Sequence, residues 1–123
     1  MAYEAARVEG PLGHCHCITC RKTHSARFNT TAWVPLESFR WLKGEDKLTA
    51  YRSAPNKRRY FCSGCGCHLV AVVDGRDGYI LRVASLDEDP GLRPRHHIWT
   101  SHDVPWLVDE GEVPRYAEWM PGR

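Results

Sequence analysis

The stretch GHCHCITCRK, residues 13–22, crowds three cysteines and two histidines into a short segment. Its cysteines, Cys15, Cys17 and Cys20, follow the pattern Cys-x-Cys-x-x-Cys. On an extended strand Cys15 and Cys17 project to the same face, and a turn after Cys17 would bring Cys20 back towards them. Thiolate ligands select zinc over magnesium or calcium. The stretch therefore predicts a zinc site held by these three cysteines.

A second cysteine cluster follows in FCSGCGC, residues 61–67. The spacing of Cys62 and Cys65, with small residues between and after them, is typical of a metal knuckle, in which backbone amides face the sulfurs. Both cysteines are candidate metal ligands, and Cys67 is a further candidate. The knuckle predicts a second place at which zinc could staple two strands.

Several interpretations of the six cysteines stay open at this point. Disulfides are disfavoured, because Cys-x-Cys is a poor geometry for a bridge and cytosolic thiols stay reduced. A purely structural zinc could be closed by Cys15, Cys17, Cys62 and Cys65. Alternatively, three cysteines of one cluster mark a metal with an open fourth position, as in catalytic zinc sites. The spacing matches neither ferredoxin pattern, which disfavours an iron–sulfur cluster.

Length and composition indicate one globular domain spanning residues 1–123, with 42% hydrophobic residues. The net charge of +2, from 17 basic and 15 acidic residues, is too small to predict nucleic-acid binding. No apolar run approaches the roughly 18 residues of a membrane-spanning helix, and no signal peptide is visible. We therefore expect a cytoplasmic protein without nucleic-acid or membrane partners. The sequence indicates no particular oligomeric state.

Short runs rich in β-branched and aromatic residues alternate with turn sequences such as DGRDG and DEDPG. This pattern predicts a mostly β fold of short antiparallel sheets with little helix, apart from a short helical turn after Cys20. The predicted strands are residues 28–34, 38–42, 47–53, 58–61, 68–73, 78–86 and 96–101.

Three motifs, HCHCITCRK, YRSAPNKRRYFCSGCGCHL and ASLDEDPGLRPRHHIWTSHDVPW, occur in this order. Together they resemble the glutathione-dependent formaldehyde-activating enzyme family, which also includes centromere protein V. The similarity runs from about residue 3 to about residue 116. It implies a zinc-stapled β-tent, in which β-sheets meet at metal knuckles. The activity that names the family is the formation of S-hydroxymethylglutathione from formaldehyde and glutathione.

The resemblance also implies two zinc sites. Cys15, Cys17 and Cys20 match the site with an open position, which is tied to thiol chemistry and makes these residues catalytic through the metal. Cys62 and Cys65 match half of a structural site. The other half in the family is an N-terminal Cys-x-Cys in a GxCxCG stretch, which is absent from this sequence. Cys67 could supply one replacement ligand.

Two functions from different classes follow from the resemblance. The first is a zinc-dependent carbon–sulfur lyase or thiol-adduct synthase, with a glutathione-like thiol and an aldehyde as small-molecule partners. The second is a noncatalytic zinc-stapled binding module, in which every metal is structural. An open coordination position beside a cleft favours the first function, and a closed four-cysteine site favours the second.

Other residues in the motifs carry weaker expectations. His14 and His16 are expected to face away from the cysteines beside them, with a supporting or surface role. His97 either approaches the metal or is a hydrogen-bonded structural histidine, and it is expected to share a strand face with Trp99. One of the arginines at residues 58–59 could pair with a substrate carboxylate.

Overall fold

The computed structural model describes residues 1–109, 111 and 113–122, and within them the chain forms nine β-strands and one α-helix. The helix, α1, spans Ile18–His24. The strands are β1 (Ala2–Ala5), β2 (Glu9–Cys15), β3 (Asn29–Pro35), β4 (Phe39–Lys43), β5 (Leu48–Ala54), β6 (Lys57–Cys62), β7 (His68–Val73), β8 (Gly78–Arg82) and β9 (Pro94–Ile98). The mostly β fold with little helix is confirmed.

Seven strands form one sheet in the order β5-β6-β7-β8-β3-β2-β9, and β1 pairs with β4 in a second, two-stranded sheet. Neighbouring strands are antiparallel except β2 and β9, which run parallel. The long connection from β2 to β9 makes this parallel pair possible, since parallel strands need a crossover rather than a hairpin. The prediction of antiparallel sheets thus holds for every strand pair except β2 and β9.

One face of the large sheet carries the hydrophobic core. Val34, Val70 and Leu81 are fully buried there, and aromatic residues of the small sheet, among them Phe39 and Trp41, pack against them. Val70 lies opposite Leu81 in the register of β7 and β8, so their side chains share this face. Removal of this apolar surface from water is what holds the two sheets together.

The other face of the sheet lies under α1 and is polar. Arg59 on β6 lies opposite Ala71 on β7, which in turn lies opposite Ile80 on β8. Side chains two residues apart on a strand share a face, so Arg82 also points to this side. Ala71 is completely buried between these strands.

The first two strands were not predicted from the sequence. The segment EGPLGHC of β2 contains two glycines and a proline, which have low strand propensity. Tertiary pairing with β3 and β9 overrides that local preference.

The helix and the last strand also differ from expectation. α1 begins at Ile18, so Cys20 lies within the helix rather than before it, and Cys17 caps the helix instead of continuing a strand. Trp99 has a φ of 60° and lies beyond the end of β9, so it does not share a strand face with His97. Trp106 is 75% exposed and lies outside the core. No helix in the described part of the chain is long and apolar enough to cross a membrane.

Candidate metal centre

The sulfur atoms of Cys15, Cys17 and Cys20 all lie within 4.8 Å of one another. Cys15 is the last residue of β2, Cys17 is the N-cap of α1, and Cys20 lies in the first turn of the helix. The end of one strand and the start of the next helix therefore converge on one point. Cys20 is buried, whereas Cys15 and Cys17 are half-buried.

Local capping interactions hold α1 in the position that brings Cys20 to the cluster. The Cys17 sulfur accepts a hydrogen bond from the backbone N–H of Cys20 at 3.4 Å, in the manner of a side-chain N-cap. At the other end Ser25 adopts the left-handed conformation, and its N–H donates to the carbonyl of Arg21. Basic residues occupy the last turn, where the helix dipole favours positive charge.

Arg59 reaches the cluster from β6. Its Nη1 and Nη2 lie 3.7 and 3.9 Å from the Cys20 sulfur, and its Nε donates to the Ser53 hydroxyl at 2.9 Å. The pKa of Cys20 is lowered by its hydrogen bond with Cys15 and, to a smaller degree, by Arg59, while the pKa of Cys15 is raised. The cluster therefore favours a thiolate at Cys20 even without a metal.

Arg82 is a second buried guanidinium on the same face, only 3% exposed. Its Nε and Nη2 have no hydrogen-bond partner among the described residues. Burial, and then the charge of Arg59, lower the pKa of Arg82 to about 10, while the charges of the three cysteines oppose that shift. Buried Asn29, which lies opposite Cys15 in the register of β2 and β3, likewise leaves its Nδ2 unpartnered within the described part of the chain.

Two histidines pack against each other between α1 and β7. The rings of His24 on α1 and His68 on β7 stand 4.9 Å apart in an edge-on arrangement. Burial, and then the charge of Arg82, lower the pKa of His24 to about 4. Burial, and then the same arginine, lower the pKa of His68. Both imidazoles are therefore neutral at physiological pH.

The donor set fits a soft divalent metal ion. A tetrahedral site with bonds of about 2.3 Å needs sulfurs about 3.8 Å apart, which lies within the 4.8 Å limit that all three sulfurs keep. No histidine, cysteine, aspartate or glutamate of the described residues joins the three as a fourth ligand. The three-cysteine cluster can thus hold a metal ion and leave one coordination position open.

The second cysteine cluster lies apart from the first. Cys62 is buried, whereas Cys65 and Cys67 are exposed, and all three line a cavity of about 430 Å³ on the side of the sheet that β1 covers. The chain turns as a knuckle, because the N–H of Gly66 donates to the Cys62 carbonyl at 2.7 Å. Backbone amides of Cys65 and Gly64 lower the pKa of Cys62.

The separation of the two clusters bears on the closed four-cysteine alternative. Among the described residues, Cys62 and Cys65 do not lie close enough to Cys15 and Cys17 for the four to hold one metal ion. That closed site, which would have removed the open position, is therefore not formed in this structure. Within the described part of the chain, Cys67 likewise does not lie with Cys62 and Cys65 in a group that could hold a metal ion.

His16 lies at the centre of a buried polar chain. It is completely buried; its Nδ1 lies 2.7 Å from Oδ1 of Asp103, and its Nε2 lies 2.8 Å from Nδ1 of His97. Arg27 donates to the other oxygen of Asp103 at 3.3 Å. His97 is thus a hydrogen-bonded histidine, as one of its two sequence interpretations held, and His16 is buried, so the surface alternative given for it does not apply. His14 is half-buried and bonds the Thr30 hydroxyl at 2.7 Å.

Sequence reasoning missed Arg82, Asn29 and Asp103 as parts of this centre. In Arg59 and Arg82 a charged side chain occupies a strand position that alternation places on a covered face. Charged residues are rarely buried without a partner, so this pattern could have indicated a functional site. Asp103 carried no local signal, since it lies 87 residues from His16.

Comparisons with known proteins agree with this geometry. A crystal structure of a Rhodobacter sphaeroides protein matches with a TM-score of 0.62 at 23% sequence identity, covering 77% of this chain and 89% of that one. At that identity the likeness shows the shared fold. The family model described as glutathione-dependent formaldehyde-activating enzyme matches residues 2–102, which include every cysteine of both clusters. The chain therefore belongs to the glutathione-dependent formaldehyde-activating enzyme family.

Proposed function

We propose that this protein is a zinc-dependent carbon–sulfur lyase that forms or cleaves the adduct of a glutathione-like thiol with a small aldehyde, such as S-hydroxymethylglutathione. The observation that carries the proposal is the cluster of Cys15, Cys17 and Cys20, which lacks a fourth protein ligand among the described residues. Family membership supplies the thiol and the aldehyde as the substrate class.

Cys15, Cys17 and Cys20 would hold the zinc, because thiolates prefer it over harder cations. When bound, the metal would keep a coordinated substrate thiol ionised at neutral pH. In the forward reaction the sulfur lone pair forms the carbon–sulfur bond, and the carbonyl electron pair moves to oxygen, which takes up a proton. Cleavage is the reverse.

The contribution of the protein is to position the reactants. Holding the thiol and the aldehyde together converts a bimolecular step into a nearly unimolecular one. Cys20 is fixed by the first turn of α1 and by the Arg59 guanidinium, so the cluster is preorganised by contacts outside the metal. The helix α1 covers this face of the sheet, and the buried side of the cysteine cluster is thereby shielded from water.

The test is the rate at which formaldehyde exchanges with S-hydroxymethylglutathione, measured by magnetisation-exchange NMR with ¹³C-formaldehyde. The zinc-loaded protein should accelerate the exchange above the uncatalysed reaction, and Cys20→Ser should abolish the acceleration. Cys67→Ser is the matched control, because it removes an exposed cysteine outside the cluster. An exchange rate equal to that of buffer would contradict the enzymatic proposal.

The second candidate is a noncatalytic binding module with structural metal only. The burial of Cys20, 3% exposed, supports it, because a buried ligand is less accessible to a substrate. This candidate predicts a protein that retains zinc but leaves the exchange rate unchanged. The same NMR experiment therefore separates the two candidates.

A further inference from the structure

The two arginines beneath the cysteine cluster are buried without a carboxylate partner. Arg59 is 2% exposed and Arg82 is 3% exposed. Neither forms an ion pair with an aspartate or glutamate among the described residues. A buried, uncompensated charge is strongly destabilising, so such groups are normally paired. The thiolates of the metal centre, and an anion bound there, are negative groups that could compensate these two charges.

The charges of the centre can be counted. Three metal-bound thiolates carry three negative charges, since coordination deprotonates them. A divalent ion together with the guanidinium groups of Arg59 and Arg82 carries four positive charges; half-buried Lys57, on the same face of β6 as Arg59, stands outside this count of buried groups. The buried centre is left with one excess positive charge, and one additional monoanion makes it neutral.

Three of the buried donors that lack a partner among the described residues agree with this count. Nε and Nη2 of Arg82 and Nδ2 of Asn29 are buried without an acceptor in the described part of the chain. Arg82 lies on the same sheet face as Arg59, which contacts Cys20, and Asn29 lies opposite Cys15 in the register. Sulfur thiolates and a bound anion are acceptors that would satisfy these donors.

We propose that Arg59 and Arg82 make the open position selective for a monoanionic ligand, a thiolate above all, over neutral ligands. This inference rests on the proposed function, since it assigns the charge of the ligand that the open position takes. Arg59 acts as a positioning residue through its contact with Cys20. Arg82 acts through its buried charge and its free donors.

The experiment uses protein loaded with Co²⁺, whose absorption spectrum changes when a ligand of the metal changes. Azide and 2-mercaptoethanol serve as probes that bind as monoanions, and imidazole at pH 8 serves as the neutral probe. Wild type should prefer the two anionic probes. Arg82→Gln should weaken their binding by about tenfold or more, because a unit charge at short range in a buried site is removed. The affinity for imidazole should stay the same or rise.

Arg58→Gln is the matched control. It removes the same charge from the neighbouring position of β6, whose side chain lies on the opposite face of the sheet and pairs with Asp74 at 3.5 Å. It should leave the preference for anionic probes unchanged. Should Arg82→Gln fail to fold, Arg59→Gln should show the same loss, and Arg82→Lys, which keeps the charge, should retain the preference.

Two results would overturn the inference, and they are distinguishable. If azide and imidazole affinities keep the same ratio in wild type, Arg82→Gln and Arg59→Gln, the charge argument is wrong while the open position stands. If no probe changes the spectrum, the open position itself is wrong and the proposed function falls with it. The protein could prefer anionic probes and still leave formaldehyde exchange unaccelerated. That result would contradict the proposed reaction but support the role of the two arginines.

Discussion

Nη1 of Arg59 lies 3.7 Å from the sulfur of Cys20, and both side chains are buried. The two residues are 39 positions apart in the chain, so β6 and α1 meet at the candidate metal centre. A guanidinium this close favours the thiolate over the thiol. The contact therefore links the packing of the helix on the sheet to the ionisation of a metal ligand.

Replacing Arg59 with methionine should make the metal easier to displace by acid. Loss of the positive charge raises the pKa of Cys20 towards its ordinary value, so protons compete better with the metal. We expect the pH midpoint of Co²⁺ release to rise by about 1. The sulfur-to-cobalt absorption band, followed against pH, measures this midpoint. Arg58→Met should not move it, and an equal shift in both variants would show a general charge effect instead.

Metal removal should destabilise the fold. Structural zinc contributes on the order of 10 kcal/mol in small zinc-binding peptides, and the described hydrophobic core is modest. We expect a strong chelator to lower the melting temperature by about 10 °C or more. Calorimetry with elemental analysis of the same sample checks this. Cys20→Ser, which cannot complete the cluster, should melt at one temperature with and without chelator.

Metal content should be close to one ion per chain. Cys15, Cys17 and Cys20 alone form a metal-sized group among the described residues, and the knuckle at Cys62 and Cys65 is short of ligands. Native mass spectrometry should show one tightly held ion in wild type and in Cys65→Ser. Cys17→Ser should show none. Two ions held at full occupancy would mean that the knuckle finds ligands elsewhere.

Acid should destabilise the protein partly through His24. Burial, and then Arg82, lower its pKa to about 4, below the unfolded value of 6.5. The unfolded chain therefore binds the proton more readily between these values. The contribution of neutral His24 to the stability of the fold is complete above about pH 6.5, and it is lost as the pH falls towards 4.

We expect His24→Gln to lose less stability than wild type between pH 7 and pH 5, by about 1 kcal/mol after allowance for partial exposure. Urea unfolding at each pH measures the difference. The two proteins must be compared at the same metal content, so that thiolate protonation contributes equally to both. Parallel stability profiles would contradict the assignment to His24.

Asp103→Ala should be strongly destabilising although Asp103 lies in a loop. It removes the partner of the fully buried His16 and one partner of Arg27. Leaving a buried donor unsatisfied costs about 2 kcal/mol. Urea unfolding should show this loss, whereas Asp87→Ala, a change of an exposed aspartate, should stay within about 0.5 kcal/mol. Equal effects of the two changes would show that the His16 chain carries little stability.

Features that depend on a few neighbouring residues could be predicted from the sequence. The apolar, valine-rich run at residues 68–73 predicted β7 with its observed bounds, and the strands from β3 to β6 were predicted to within a residue or two. The spacing of Cys15, Cys17 and Cys20 predicted their convergence. Such patterns are decided by backbone geometry over one or two turns of chain, which the order of residues specifies directly.

Only the tertiary structure decided what surrounds the cysteines. Arg59 and Arg82 meet beneath α1 because β6, β7 and β8 pair in one register, and a slip of one residue would turn both side chains to the other face. Asp103 lies 87 residues from His16 in the sequence, and it comes close to His16 only because β9 pairs with β2. Strand register and crossover pairing follow from burial of the common core. The free energy of that burial is a sum over residues far apart in the chain, so no local motif encodes it.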